Sequence, residues 1–168
     1  MDAGADMNKA NVWGWTPLNT AAQEGHIEIV QALIDAGADT NKDNERGWTT
    51  LNRSADGGHI EIVQALMDAG ADMNKADEGG WTPLYTAAGK GHIEIAKALI
   101  NAGADKDRTN NSGDTPLMWS AKKGHIEVVQ ALLTAGADWT KKNQDDKTAL
   151  DYANEEGHQE IAMLLEQA

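Results

Sequence analysis

Residues 14–39 read GWTPLNTAAQEGHIEIVQALIDAGAD, and this stretch returns along the chain. The pair Gly25-His26 recurs as Gly58-His59, Gly91-His92, Gly124-His125 and Gly157-His158, always 33 residues further on. Ala-Gly-Ala-Asp begins at Ala3, Ala36, Ala69, Ala102 and Ala135 in the same step. Gly14-Trp15-Thr16-Pro17-Leu18 returns from Gly47, Gly80, Gly113 and Asp146, with Trp48, Trp81, Asp114 and Lys147 in the Trp15 slot. Three independent markers hold one period without insertion or deletion, which is the signature of a repeat architecture.

One unit can be read physically. Thr16 caps a helix with its hydroxyl, and Pro17 has the φ that a first turn needs. Leu18, Ala21 and Ala22 follow at i, i+3, i+4, a narrow apolar face whose small residues admit a close neighbour. Gly25 ends this helix. A second helix runs from about His26 to Ala36, with Ile27, Val30, Leu33 and Ile34 at helical spacing and Gly37 closing it. The polar segment from Ala38 to Gly47 reads as a β-turn or hairpin into the next unit. A single unit cannot bury its apolar face, whereas a row of units shares one continuous core.

The Gly-x-Thr-Pro-Leu turn, the Ala-Ala first helix, Gly-His, the Ile-Val-x-x-Leu second helix and Gly-Ala-Asp together resemble the ankyrin repeat, over essentially the whole chain. The resemblance implies an all-α repeat solenoid, an ankyrin-type stack of helix-turn-helix units joined by β-hairpin-like loops. It predicts repeats at 11–43, 44–76, 77–109 and 110–142, with 1–10 as the tail of a truncated preceding unit and 143–168 as a C-terminal capping repeat. One position departs from the family. The histidine usual after Pro-Leu is replaced by Asn19, Asn52, Tyr85, Met118 and Asp151, so its local hydrogen bonds must be replaced or lost.

The ends differ. In the last unit Asn154, Gln159 and Glu166 stand where earlier units have small or apolar residues, as expected of a cap whose outer side meets water. The first full unit keeps Ala22, Ile27 and Ile34 apolar. That leaves three readings: a piece of a longer array, a side that takes a partner, or a tolerated exposed patch. Residues 11–40 are therefore expected to be the least protected in hydrogen exchange. The second unit is a soft point, with Thr50 in the proline slot and Arg53, Asp56 and Gly57 in its first helix. It is either locally weak or has room for a ligand.

Chemistry finds little purchase. There is no cysteine, so no disulfide, thiolate nucleophile or Cys-ligated metal. The five histidines share one template position, and units ~8–10 Å apart do not bring two imidazoles to one zinc. A structural role, bonding to loop backbone, is expected. No phosphate loop, Gly-x-Ser-x-Gly or His-Glu-x-x-His occurs. The carboxylates are periodic and serve the unit. No enzyme activity, cofactor or metal is expected. A net charge of −13 disfavours nucleic acid and anionic membranes. No apolar stretch reaches the ~18 residues of a span, and the start lacks signal-peptide features. A cytoplasmic-type protein follows.

A binding surface remains. The stripe offset from the core reads Thr20-Gln23-Glu24, Arg53-Asp56-Gly57, Thr86-Gly89-Lys90, Trp119-Lys122-Lys123 and Tyr152-Glu155-Glu156. It varies in size and charge where the core stripe does not. In the ankyrin family this stripe and the hairpin tips line the concave groove that meets partners. The candidate partner-binding residues are Trp13, Trp15, Trp48, Trp81, Arg46, Arg53, Lys90, Trp119, Lys122, Lys123 and Tyr152. Trp119, outside the periodic tryptophan row, is the strongest of them. For the row itself, template packing on the next hairpin is the competing reading. Lys122, Lys123, Lys141, Lys142 and Lys147 either steer an acidic partner or balance nearby acids. The expected function is non-catalytic recognition of a protein or peptide. The alternatives are an engineered or consensus-like scaffold without a physiological partner, and self-association through the uncapped N-terminal repeat.

Overall fold

A computed structural model describes residues 6–168. Residues 1–5, half of the expected 1–10 tail, lie outside the described residues. Ten helices follow in pairs: α1 (Pro17–Gln23) and α2 (Ile27–Asp35), α3 (Thr50–Gly57) and α4 (Ile60–Asp68), α5 (Pro83–Lys90) and α6 (Ile93–Asn101), α7 (Pro116–Lys123) and α8 (Ile126–Thr134), α9 (Ala149–Glu155) and α10 (Gln159–Leu165). The odd helices form one layer and the even helices a second, each helix packing on its pair-mate and on its counterparts in adjacent units. No strand occurs among the described residues, and the connections are turns. Among the described residues no helix is long and apolar enough to cross a membrane.

The caps follow the sequence signals. Thr16, Thr49, Thr82, Thr115 and Thr148 are the N-caps of the odd helices, each hydroxyl accepting from the N–H three residues on. Glu28, Glu61, Glu94, Glu127 and Glu160 sit in the first turn of the even helices, where the helix dipole favours an acid. The core runs through Leu18, Leu51, Leu84 and Leu117, with Ala22, Ala55, Ala88 and Ala121 beside them, all buried.

The histidine expectation is met in a specific form. Nε2 of His59, His92, His125 and His158 lies 3.1–3.2 Å from the backbone oxygens of Gln23, Asp56, Gly89 and Lys122. Each imidazole therefore ties its unit to the end of the preceding odd helix. Because a carbonyl only accepts, Nε2 carries the proton. The glycine of the preceding Gly-His pair makes room for the ring: a Cβ on Gly58 would sit 2.9 Å from Cε1 of His92.

Residues that stand in for the family's histidine make hydrogen bonds of their own. Asn19 Nδ2 donates to Thr50 Oγ1 at 2.7 Å, and Asn52 Nδ2 to the Trp81 carbonyl at 2.8 Å, both into the next unit. Asp151 accepts from the Thr148 N–H and hydroxyl. The second unit is correspondingly less soft than its composition implies. Thr50 is buried and hydrogen-bonded, and Gly57 leaves space for the His59 ring, not for a ligand.

The periodic charges are also structural. Oδ1 of Asp39, Asp72, Asp105 and Asp138 accepts from the N–H two residues on, closing an Asx-type turn. The ammonium groups of Lys42, Lys75 and Lys141 reach back to the carbonyls of Asn8, Asn41 and Asp107.

Exposure shows which way each slot faces. The slots of Ala22, Ile27 and Ile34 become polar and exposed in the last unit, at Asn154, Gln159 and Glu166, so they face the following unit. The Ile29 slot does the reverse. Ile29 is 51% exposed, whereas Ile62, Ile95, Val128 and Ile161 are at most 2% exposed. The apolar residue that marks the open side of the first unit is thus Ile29, not Ala22, Ile27 and Ile34; Val12 and Trp13 are exposed at its turn tip. Ala22, Ile27 and Ile34 are buried or half-buried against the second unit.

Candidate functional site

The turn tips are set by one side chain per unit. Oδ1 of Asn11, Asn44, Asp77, Asn110 and Asn143 accepts from the N–H groups two and four residues on. The tip is thereby rigid, and the residue four positions on is aimed the same way in every unit. Trp15, Trp48 and Trp81 occupy that position, followed by Asp114 and Lys147.

At the N-terminal half the row is a clamp. The Arg53 guanidinium carbon lies 4.7 Å from the Trp15 ring centre and 5.3 Å from that of Trp48. Such placement favours the cation by electrostatic attraction to the ring faces. Arg53 Nη2 donates to Gln23 Oε1 at 2.8 Å, holding the fork in place. Trp15 and Trp48 are half-buried around it. Trp13 and Arg46 are exposed and stand outside the clamp, Arg46 accepting through its carbonyl from the Glu78 N–H at 3.1 Å.

At the centre the aromatics form a column. Trp81 and Tyr85 stack at 5.9 Å between ring centres, and Tyr85 and Trp119 at 5.8 Å, each pair inclined by 20°. Tyr85 is buried, and its hydroxyl accepts from Asn110 Nδ2 at 2.9 Å. Burial first, then the charge of Asp114, pushes its phenol well above the ordinary tyrosine value. Gly89 leaves the space that the Trp119 indole fills. Between these residues lies a pocket of about 410 Å³ lined by Trp81, Tyr85, Thr86, Gly89, Trp119 and Lys123. At its edge Lys90 is paired with Asp56 at 3.0 Å.

At the C-terminal half the bases separate into two groups. Lys141 holds the Asp107 carbonyl, Lys142 pairs with Asp146 at 2.9 Å, and Lys147 pairs with Glu155 at 2.7 Å. Lys122 and Lys123 have no carboxylate within 4 Å among the described residues and lie over aromatic rings instead. The Lys122 ammonium is 5.3 Å from the Trp119 centre and 4.7 Å from that of Tyr152, and Lys123 is 4.8 Å from Trp119. Tyr152 is not free surface. Its hydroxyl donates to Asp114 Oδ1 at 3.1 Å, and Asn143 Nδ2 donates to the same oxygen at 2.6 Å. Burial, then the Asp114 charge, pushes the Tyr152 phenol up to about 12.

Sequence reasoning missed Tyr85, Gly89 and Asp114. Tyr85 stood only as a departure from the family's histidine, yet it is the middle ring of the column. The signal for Gly89 is its place on the stripe beside the next unit's Trp119, where only a missing side chain admits an indole. Asp114 interrupts the tryptophan row because it anchors Asn143 and Tyr152. Trp139 is exposed, and nothing in the structure gives it a role.

The arrangement offers flat rings, two cations and hydrogen-bonding edges. Among the described residues no group of three or more His, Asp or Glu is placed to hold a metal ion. No curated protein matches the chain. The ankyrin-repeat family description matches it in three copies, over residues 1–77, 70–143 and 110–168. Repeats of this kind are generally protein–protein interaction modules and typically not catalytic. The capped helix pairs, the histidine ties between units and this end-to-end match lead to one conclusion: the chain belongs to the ankyrin-repeat family.

Proposed function

We propose that the chain is a non-catalytic recognition module that engages a protein partner through the odd-helix face and the turn tips. One observation carries this reading. The slots that face the neighbouring unit stay nearly constant, while the outward stripe changes at every unit and collects Arg53, Trp119, Lys122 and Lys123 beside Trp48 and Trp81. Aromatic and arginine side chains supply large contact area at low ordering cost, which is why they dominate binding hot spots. The clamp and the column hold these side chains in place before a partner arrives, and such preorganisation favours tight binding. A peptide-display screen against the purified chain tests the reading. Binders are expected to lose affinity on Trp119→Ala and on Trp48→Ala. A set of binders indifferent to both changes removes it.

A scaffold without a physiological partner is the second reading. The near-identity of units favours it: IEIVQAL stands at both 27–33 and 60–66. On that reading display returns no reproducible binder, and both tryptophan changes alter stability alone. Self-association through the first unit rests on exposed Ile29, Trp13 and Val12. Sedimentation at several concentrations tests it, and a monomer throughout removes it.

A further inference from the structure

The pocket between Trp81, Tyr85 and Trp119 has properties that the rest of the odd-helix face lacks. Its volume of about 410 Å³ falls within the ~300–1,000 Å³ of ligand sites. Its walls are ring faces and edges. At its floor Thr86 is 6% exposed, and its Oγ1 has no hydrogen-bond partner among the described residues. The hydroxyl in the same slot of the first unit, on Thr20, donates to the Thr16 carbonyl. Lys123 lines the pocket's rim and lies over Trp119, while its neighbour Lys122 lies over Trp119 and Tyr152; neither charge has a carboxylate within 4 Å among the described residues. The second rim lysine, Lys90, and the one lining carboxylate, Asp56, are paired with each other at 3.0 Å, so Lys123 carries the unbalanced charge.

The geometry points to an acidic–aromatic peptide segment as the occupant: one aromatic side chain enters the pocket beside Trp119, and flanking carboxylates meet Lys122 and Lys123. This inference rests on the recognition reading above and names the partner chemistry of that face. Charge complementarity decides for the acid. A chain of net charge −13 repels an acidic segment over most of its surface and attracts it at this spot, so the charge sets the register as well as the attraction. A cationic side chain is disfavoured by the same lysines. The ring arrangement adds to this. Three nearly parallel planes offer edges and one open face to a flat ring, not the crossed walls that surround an ammonium group.

Indole N–H resonances of the ¹⁵N-labelled chain give the test, with end-blocked pentapeptides as probes. The probes are EEFEE, EEGEE, which lacks the ring, and KKFKK, which reverses the charge. EEFEE added to about 5 mM, enough to see a ~1 mM Kd, is expected to shift Trp81 and Trp119 saturably and leave Trp13 and Trp139 unmoved. EEGEE and KKFKK are expected to bind at least about tenfold more weakly. The double change Lys122→Gln with Lys123→Gln keeps the fold, by circular dichroism, and weakens EEFEE about threefold to tenfold. Gly89→Ala, whose Cβ overlaps the Trp119 indole and forces it to move, is expected to abolish the shift. Equal binding of KKFKK or EEGEE, or no shift with EEFEE, overturns the inference. If EEFEE fails while displayed binders still depend on Trp48 or Trp119, only the acidic–aromatic assignment falls. If displayed binders ignore both tryptophans as well, the recognition reading falls with it.

Discussion

The Trp119 indole occupies the space that a side chain on Gly89 would need. Gly89 lies inside α5, where a glycine ordinarily costs ~1 kcal/mol against alanine. Overlap with a packed ring costs more, typically ~1–3 kcal/mol. Gly89→Ala is therefore expected to lower stability by up to about 2 kcal/mol, the difference of the two effects. In a Trp119→Ala background the same change is expected to be neutral or stabilising by up to ~1 kcal/mol. Urea unfolding of the four proteins closes the cycle, and equal Gly89→Ala effects in both backgrounds would show that the two residues do not compete for space.

The histidine ties predict a positional contrast. His92→Ala removes the bond to the Asp56 carbonyl and leaves that carbonyl without its partner, a loss of about 1–3 kcal/mol. His26 is exposed and lies in the first unit, with no earlier odd helix among the described residues to hold. His26→Ala is expected to stay within about 0.5 kcal/mol of the parent chain. Chemical denaturation measures both, and equal losses would mean that the imidazole serves its own unit and not the junction.

Thr50→Pro restores the family's proline and is nevertheless expected to destabilise. Proline at a compatible first-turn position adds about 0.4–1 kcal/mol through the unfolded chain. Removing the hydroxyl strands the Asn19 side-chain amide, which donates to Thr50 Oγ1 at a fully buried site. An unsatisfied buried donor costs ~1–3 kcal/mol, so the loss wins. A raised melting temperature in Thr50→Pro would show that the Asn19 bond contributes nothing.

The fold was legible because its signals are local and repeated. A threonine cap, a leucine with two alanines and a Gly-His turn fix each helix pair, and five copies average out local noise. The ring column was not legible. It depends on Tyr85 meeting Trp119 across a unit boundary, and the sequence shows these only as two irregular residues 34 positions apart. The direction each slot faces was misread for a similar reason. An apolar residue at Ile27 and one at Ile29 look alike in sequence, and only their exposure in the terminal units reveals that they point opposite ways.

Alkaline pH should weaken the chain through its two tyrosines. Burial and Asp114 raise both phenols above the ordinary value of ~10, Tyr152 to about 12. Above pH ~10 the unfolded chain gives up these protons while the native chain keeps them. The unfolded state then binds fewer protons, so stability falls as pH rises through this window. The urea midpoint is expected to drop from about pH 10 to pH 12, and less so in Tyr152→Phe, which has no proton to lose at that site. An identical drop in Tyr152→Phe would place the alkaline sensitivity elsewhere, in Tyr85 or the lysines.

Hydrogen exchange should find the first unit least protected. Stability in a repeat array is a sum over units and the interfaces between them. The Ile29 slot shows that one interface is missing on this side: the side chain is 51% exposed, against at most 2% for its four counterparts. At ~25 cal/mol per Å² even half of an isoleucine left in water forgoes roughly 1 kcal/mol. Val12 and Trp13, exposed on the same unit, bury little to offset this. The last unit differs, because its outward slots are polar at Asn154, Gln159 and Glu166 and lose nothing by facing water. Amides of α1 and α2 are therefore expected to exchange through local opening well before those of α5 to α8. Ile29→Gln should leave that order unchanged and cost no more than roughly 1 kcal/mol, because the side chain is already half in water. If protection is uniform from α1 to α10, the units do not open separately, and the row unfolds as one cooperative body.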